Sequence, residues 1–287
     1  MEERLEEKGG KQVVYWWCGE EGGGGGGCGE NHGDQWILHL SRKNIKELTL
    51  NYELHQILFS PHCFYSCLYL TRLELRNLGL YPLRDFKGFR NLLELKLTRV
   101  AFMAYKFESL IHGRPLLQKL IFVNCSGVDH FKFLAADSLP QELPPTIGGL
   151  KHLKLNNLDF ADFDQISCAF CLIRNTPNLK ELEIQASTTR LADAPPPPKW
   201  GYMEAEATFG CTLNRLRVVK IELIGFQPEL ELIQFLLASS PFLEKMYIDP
   251  EYSKAEQKVA LDMAIELLRY YRASPRVDFR YLILRDI

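Results

Sequence analysis

The stretch Thr176-Pro177-Asn178-Leu179-Lys180-Glu181-Leu182-Glu183-Ile184 sets apolar side chains at 179, 182 and 184 behind a proline, a Leu-x-x-Leu-x-Ile spacing. The same spacing returns at Leu70/Leu73/Leu75, Leu92/Leu95/Leu97, Leu117/Leu120/Phe122, Leu150/Leu153/Leu155, Leu216/Val219/Ile221 and Leu243/Met246/Ile248, with a weaker first copy at Ile45/Leu48/Leu50. The leading positions 45, 70, 92, 117, 150, 179, 216 and 243 are separated by 25, 22, 25, 33, 29, 37 and 27 residues. Along a strand, alternate side chains point to opposite faces. The last two apolar positions of each copy therefore face inward, and the residue between them faces out.

Most of these intervals fall near the ~20–29-residue period of leucine-rich repeats. The expected fold is α/β: a leucine-rich-repeat solenoid with a curved parallel sheet, helices on its convex side, and a C-terminal helix-strand cap. Strands are expected near 46–50, 71–76, 93–98, 118–123, 151–156, 180–185, 217–222 and 244–248. Three returns carry helical apolar spacing ahead of a proline: Phe107, Leu110 and Ile111 before Arg114-Pro115; Ile166, Phe170 and Ile173 before Thr176-Pro177; Ile233, Leu236 and Leu237 before Ser240-Pro241. Proline stops each helix by removing a donor and pushing the preceding residue toward extended geometry.

Two long intervals break the rhythm. One holds Leu139-Pro140-Gln141-Glu142-Leu143-Pro144-Pro145, and the other Ala194-Pro195-Pro196-Pro197-Pro198-Lys199, which reads as a tolerated loop insertion. At the end, Ser253 and Glu256 form a capping box, followed by Val259, Met263, Leu267 and Tyr270/Tyr271 on one helix face to about Arg272. Val277, Phe279 and Tyr281 then alternate with Asp278 and Arg280 as a closing strand. A stack of repeats needs such a cap over its last apolar layer.

The domain expectation is a disordered glycine-rich tail at 1–33, repeats at 34–210, and C-terminal repeats with the cap at 211–287. Gly22 to Gly27 is a six-glycine run with no Gly-Lys-Ser/Thr after it, so it does not read as a phosphate loop. Ordered structure should begin near Trp36-Ile37-Leu38. Net charge −2 gives no basic excess to attract nucleic acid or an anionic membrane, and no apolar run reaches membrane-spanning length. The acidic start, Met1-Glu2-Glu3, has no apolar signal region, so a cytoplasmic and/or nuclear protein is expected. Cys168-x-x-Cys171 and His62-Cys63-x-x-x-Cys67 lie among core apolar residues and read as buried reduced thiols rather than a zinc site.

No catalytic constellation appears, and neither an enzyme nor a cofactor is expected. Asp159, Asp162 and Asp164 lack the spacing of a calcium loop; Asp162 or Asp164 suits a helix N-cap. The outward strand positions are the candidate protein-binding ladder. The first row is Thr49, Glu74, Lys96, Ile121, Lys154, Glu183, Lys220 and Tyr247. Two residues on, the second row is Asn51, Arg76, Thr98, Val123, Asn156, Gln185, Glu222 and Asp249. Mixed signs with an apolar centre suit a protein partner better than a phosphate backbone.

Val218-Val219-Lys220-Ile221-Glu222-Leu223 and Phe235-Leu236-Leu237-Ala238-Ser239-Ser240-Pro241-Phe242-Leu243-Glu244-Lys245-Met246 resemble the FBD segment of plant F-box/FBD/LRR-repeat proteins. Trp36-Ile37-Leu38-His39-Leu40-Ser41-Arg42-Lys43-Asn44-Ile45-Lys46-Glu47-Leu48 resembles the stretch that introduces that family's repeats. The resemblance implies repeats that select a protein for ubiquitination and an N-terminal F-box that docks on a Skp-type adaptor. No helical F-box pattern precedes Trp36, so the expectation is a substrate-recognition module that does not itself bind the adaptor. The alternative is a stand-alone leucine-rich-repeat interaction or decoy protein, or a truncated gene product, with no ligase role.

Overall fold

The computed structural model describes residues 2–8, 11–18, 39, 41–52, 58–59, 62–80, 89–102, 116–125, 147–160, 162–187, 212–223, 227–250 and 257–281. The expected helix at Phe107–Ile111, both proline-rich segments and the Ser253/Glu256 capping box lie outside these residues. The chain divides into two compact units, Met1–Leu150 and Lys151–Ile287.

In the first unit the repeat strands are β3 (Glu47–Tyr52), β5 (Arg72–Leu80), β6 (Glu94–Phe102) and β7 (Lys119–Val123). They pair in parallel, with Leu48↔Leu73↔Leu95↔Leu120 and Leu50↔Leu75↔Leu97↔Phe122 in register. All eight are buried, so each inward position stacks on its counterpart one repeat away. A short strand, Leu58–Phe59 (β4), pairs with the far end of β5, and His62–Ser66 forms a 3-10 turn.

The glycine-rich composition of residues 1–33 points to disorder, but Glu2–Lys8 (β1) and Lys11–Cys18 (β2) are strands. They pair with each other antiparallel, and β2 adds in parallel to β3, Val14 opposite Leu48. The physical reason is the edge that a first repeat leaves open, a row of backbone N–H and C=O groups that templates another strand. Gln12-Val13-Val14-Tyr15-Trp16-Trp17 is rich in the β-branched and aromatic residues that favour strands. The antiparallel ladder of β1 and β2 runs from Glu2 opposite Trp17 to Lys8 opposite Lys11.

In the second unit the strands are β8 (His152–Leu158), β9 (Glu181–Ala186), β10 (Val218–Leu223), β11 (Lys245–Pro250) and β12 (Asp278–Tyr281), again all parallel. The returns are α1 (Phe163–Arg174) and α2 (Gln227–Ser239), and α3 (Gln257–Arg269) precedes β12. Ile166 and Ile173 of α1 are buried as their spacing requires. α2 buries Leu230, Leu232 and Phe235 as well as Ile233, Leu236 and Leu237, because it is covered on more than one side. Phe170 of α1 meets Phe235 edge-on at 5.3 Å, and the Ala273 N–H donates to the Leu237 carbonyl at 3.0 Å. On α3, Met263 and Leu267 face inward as expected, but the helix ends at Arg269 and Tyr271 is exposed. Tyr270 is half-buried and donates its hydroxyl to Glu266 at 3.4 Å.

One turn introduces nearly every repeat. Leu70, Leu92, Leu150, Leu179, Leu216 and Leu243 each donate a backbone N–H to the carbonyl three residues back, on Cys67, Phe89, Ile147, Thr176, Leu213 and Ser240. All six turn-opening residues are buried. Pro177 and Pro241 occupy the second turn position, where their fixed φ is pre-set, so these prolines shape the strand entry as well as ending a helix. The Thr176 hydroxyl also donates to the Ile173 carbonyl at 2.8 Å, satisfying an acceptor at the end of α1.

A second device recurs in or just after four strands. Asn77, Arg99, Asn124 and Asn157 take φ of 56°, 51°, 53° and 62°. A left-handed residue inserts an extra step, so Leu75 and Leu78, or Leu97 and Val100, both turn inward although three apart. The pairing of β8 with β9 shifts register there, Asn156 opposite Gln185 but Leu158 opposite Ala186. Asparagine tolerates this region; arginine has no such advantage.

Candidate protein-binding face

The strand register turns the outward residues into rows. In the first unit Thr49, Glu74, Lys96 and Ile121 stand side by side, with Asn51, Arg76, Thr98 and Val123 as the row beyond. In the second unit the first row is Lys154, Glu183, Lys220, Tyr247 and Arg280, and the second is Asn156, Gln185, Glu222 and Asp249. The register thus places the twelve outward residues from Glu74 to Glu222 in these two rows. Ile121 is largely covered at 9% exposure, whereas Gln185, Lys220 and Glu222 are open to solvent.

Charges within the rows neutralise one another. Glu74 accepts from Lys96 Nζ at 2.8 Å and from Arg76 Nε at 2.8 Å. Glu183 is clamped on both sides, Oε2 to Lys154 Nζ at 2.9 Å and Oε1 to Lys220 Nζ at 2.8 Å. Partial burial pushes both carboxyls up, but the hydrogen bonds from these cations outweigh it and hold each below the usual carboxylate range. The Glu183 carboxylate in turn raises Lys220. Arg280 lies over the Tyr247 ring, 5.7 Å from its centroid, and donates to Asp278 at 2.9 Å.

Sequence reasoning missed a third row, one alternate position earlier. Glu47, Arg72, Glu94 and Lys119 form a chain of ion pairs: Arg72 to Glu94 through Nε (3.0 Å) and Nη2 (2.9 Å), Arg72 to Glu47 (3.6 Å) and Lys119 to Glu94 (3.2 Å). His152 and Glu181 hold the same row in the second unit, 3.1 Å apart. The signal was available, since sign alternates at the residue before the first inward strand position of successive repeats. Arg280 was legible only as part of a closing strand.

Elsewhere, Asp162 is the N-cap of α1: its Oδ1 accepts from the Gln165 N–H at 3.2 Å and its Oδ2 from Gln165 Nε2 at 2.9 Å. Cys67 and Cys168 are buried free thiols, and burial pushes Cys67 up to about 12, far from a reactive thiolate. Among the described residues no cluster of His, Cys, Asp or Glu could hold a metal ion, and no helix is long and apolar enough to cross a membrane.

Parallel strands entered by one recurring turn, each burying the same leucine positions against the next, define a leucine-rich-repeat protein. Residues 33–139 match the family model described as the LRR repeats of FBD-associated F-box protein At5g56370. F-box/FBD/LRR-repeat protein At1g13570 of Arabidopsis thaliana is 31% identical over 321 residues, which span 87% of this chain and 76% of that protein. The chain belongs to the plant F-box/FBD/LRR-repeat family.

Proposed function

We propose that the outward rows of the parallel strands hold a protein target, as the substrate-recognition part of an SCF-type ubiquitin ligase receptor does, and that the chain carries out no chemistry itself. The repeats then form a solenoid with α1 and α2 on its convex side, and α3 with β12 caps its last layer. The observation that carries the reading is the row Lys154–Glu183–Lys220–Tyr247–Arg280, fixed on five hydrogen-bonded strands. A row built on strands is pre-organised, so a partner loses little affinity to ordering it. Because its cations already have carboxylate or ring partners, recognition rests on shape, hydrogen bonds and Tyr247 more than on net charge. Phosphate-backbone binding would need free cations, which these rows do not offer. The protein works inside the cell, in cytoplasm or nucleus.

Affinity capture followed by calorimetry on each captured protein tests the reading. Tyr247→Ala combined with Lys220→Glu should weaken a true target at least tenfold, whereas Gln234→Ala on the exposed side of α2 should not. Targets that bind all three forms equally would overturn it. Residues 1–287 are also expected not to bind a Skp-type adaptor, since Glu2–Lys8 and Lys11–Cys18 pair as strands where the family's adaptor site uses helices. Micromolar adaptor binding lost on deleting residues 1–33 would refute that.

A further inference from the structure

While α3 turns Met263 and Leu267 inward at 6% and 0% exposure, it leaves Leu261, Ile265 and Leu268 outward at 53%, 44% and 64%. Spacing of four and then three residues lines these up as one stripe, the seam positions of a helix pair. Asp262 and Arg269 each follow a seam residue and lie on the same flank of the stripe. They are two turns apart, about 10 Å along the axis, beyond reach of one another. Neither side chain forms a hydrogen bond or ion pair among the described residues.

We propose that this face of α3 is a homodimer seam, on which a second copy of the chain lays its own α3 antiparallel. In an antiparallel helix pair the same flanks meet, so Asp262 of each copy faces Arg269 of the other, and the two-fold axis makes that ion pair twice. A parallel pair would instead bring like residues to the same level and leave both charges unmatched. The charge pattern is thus self-complementary in one orientation. A single helix pair is a small interface, so dimerisation falls at about 10 μM or weaker. The ladder rows remain free for a target.

Sedimentation equilibrium on the full chain, from well below to well above that concentration, reads the outcome. Mass should rise from 33.1 kDa toward twice that value. Leu268→Glu should hold the chain at monomer mass while leaving its thermal melt unchanged, since the side chain is exposed. Asp262→Arg and Arg269→Asp should each weaken dimerisation at least about fivefold, and the two together in one chain should restore it. A monomer at every concentration, including one that captures a different protein on α3, overturns the proposal. So does a dimer indifferent to Leu268→Glu, or a charge swap that fails to restore.

Discussion

Lys220 Nζ lies 2.8 Å from Glu183 Oε1, one strand over and at the same level of the sheet. Thirty-seven residues separate the two in the chain, yet the parallel register makes them neighbours. The same carboxylate holds Lys154 on its other side, so one acidic position binds three repeats together at the surface. Directly beside Glu183, Leu182 points the other way and is fully buried.

That opposition sets the first prediction. Leu182→Ala removes a buried side chain from a close-packed stack and should cost about 2–5 kcal/mol, whereas Glu183→Ala removes partly exposed ion pairs and should cost about 1 kcal/mol or less. Urea denaturation of both variants checks it; equal losses would reverse the strand phase.

The acid limb of stability should depend on Glu183 and Glu74. Their folded pKa values lie below the ordinary one, so their contribution is fully present above about pH 4.3, the unfolded carboxylate value, and is lost as pH falls through the folded values. Glu183→Gln should therefore be less stable than the parent at neutral pH and converge on it in strong acid. Denaturation midpoints at neutral, mildly acid and strongly acid pH provide the measurement. Lys220, raised by the same pair, loses its contribution only in strong alkali.

Arg99 occupies the left-handed position that asparagine fills at 77, 124 and 157. Arg99→Asn should stabilise the protein by about 0.5–1 kcal/mol, because the left-handed region is less costly for asparagine and the arginine is exposed. The urea midpoint should rise with an unchanged slope. A lower midpoint would mean that the arginine side chain contributes more than its backbone strain.

Asp162→Ala should cost about 1 kcal/mol, since it leaves the Gln165 N–H at the start of α1 without its acceptor, while Asp162→Asn should retain most of that stability. Thermal melts of the two variants distinguish capping from simple charge at the helix start.

Spacing alone determined the repeat strands of this protein. The expected ranges fall within one or two residues of each observed start, because a leucine at the wrong step would turn to water and the period of two leaves no slack. Strand ends ran further than expected at Leu80 and Phe102, since a left-handed residue, not the alternation, sets the inward side there. The candidate rows were legible for the same reason as the core: what faces in fixes what faces out. Tertiary structure alone decided which outward charges meet, as with Lys154, Glu183 and Lys220, because those contacts depend on parallel register between repeats of unequal length. It also decided the strands at Glu2–Lys8 and Lys11–Cys18, since their place depends on the open edge of β3, which no local pattern in those residues encodes.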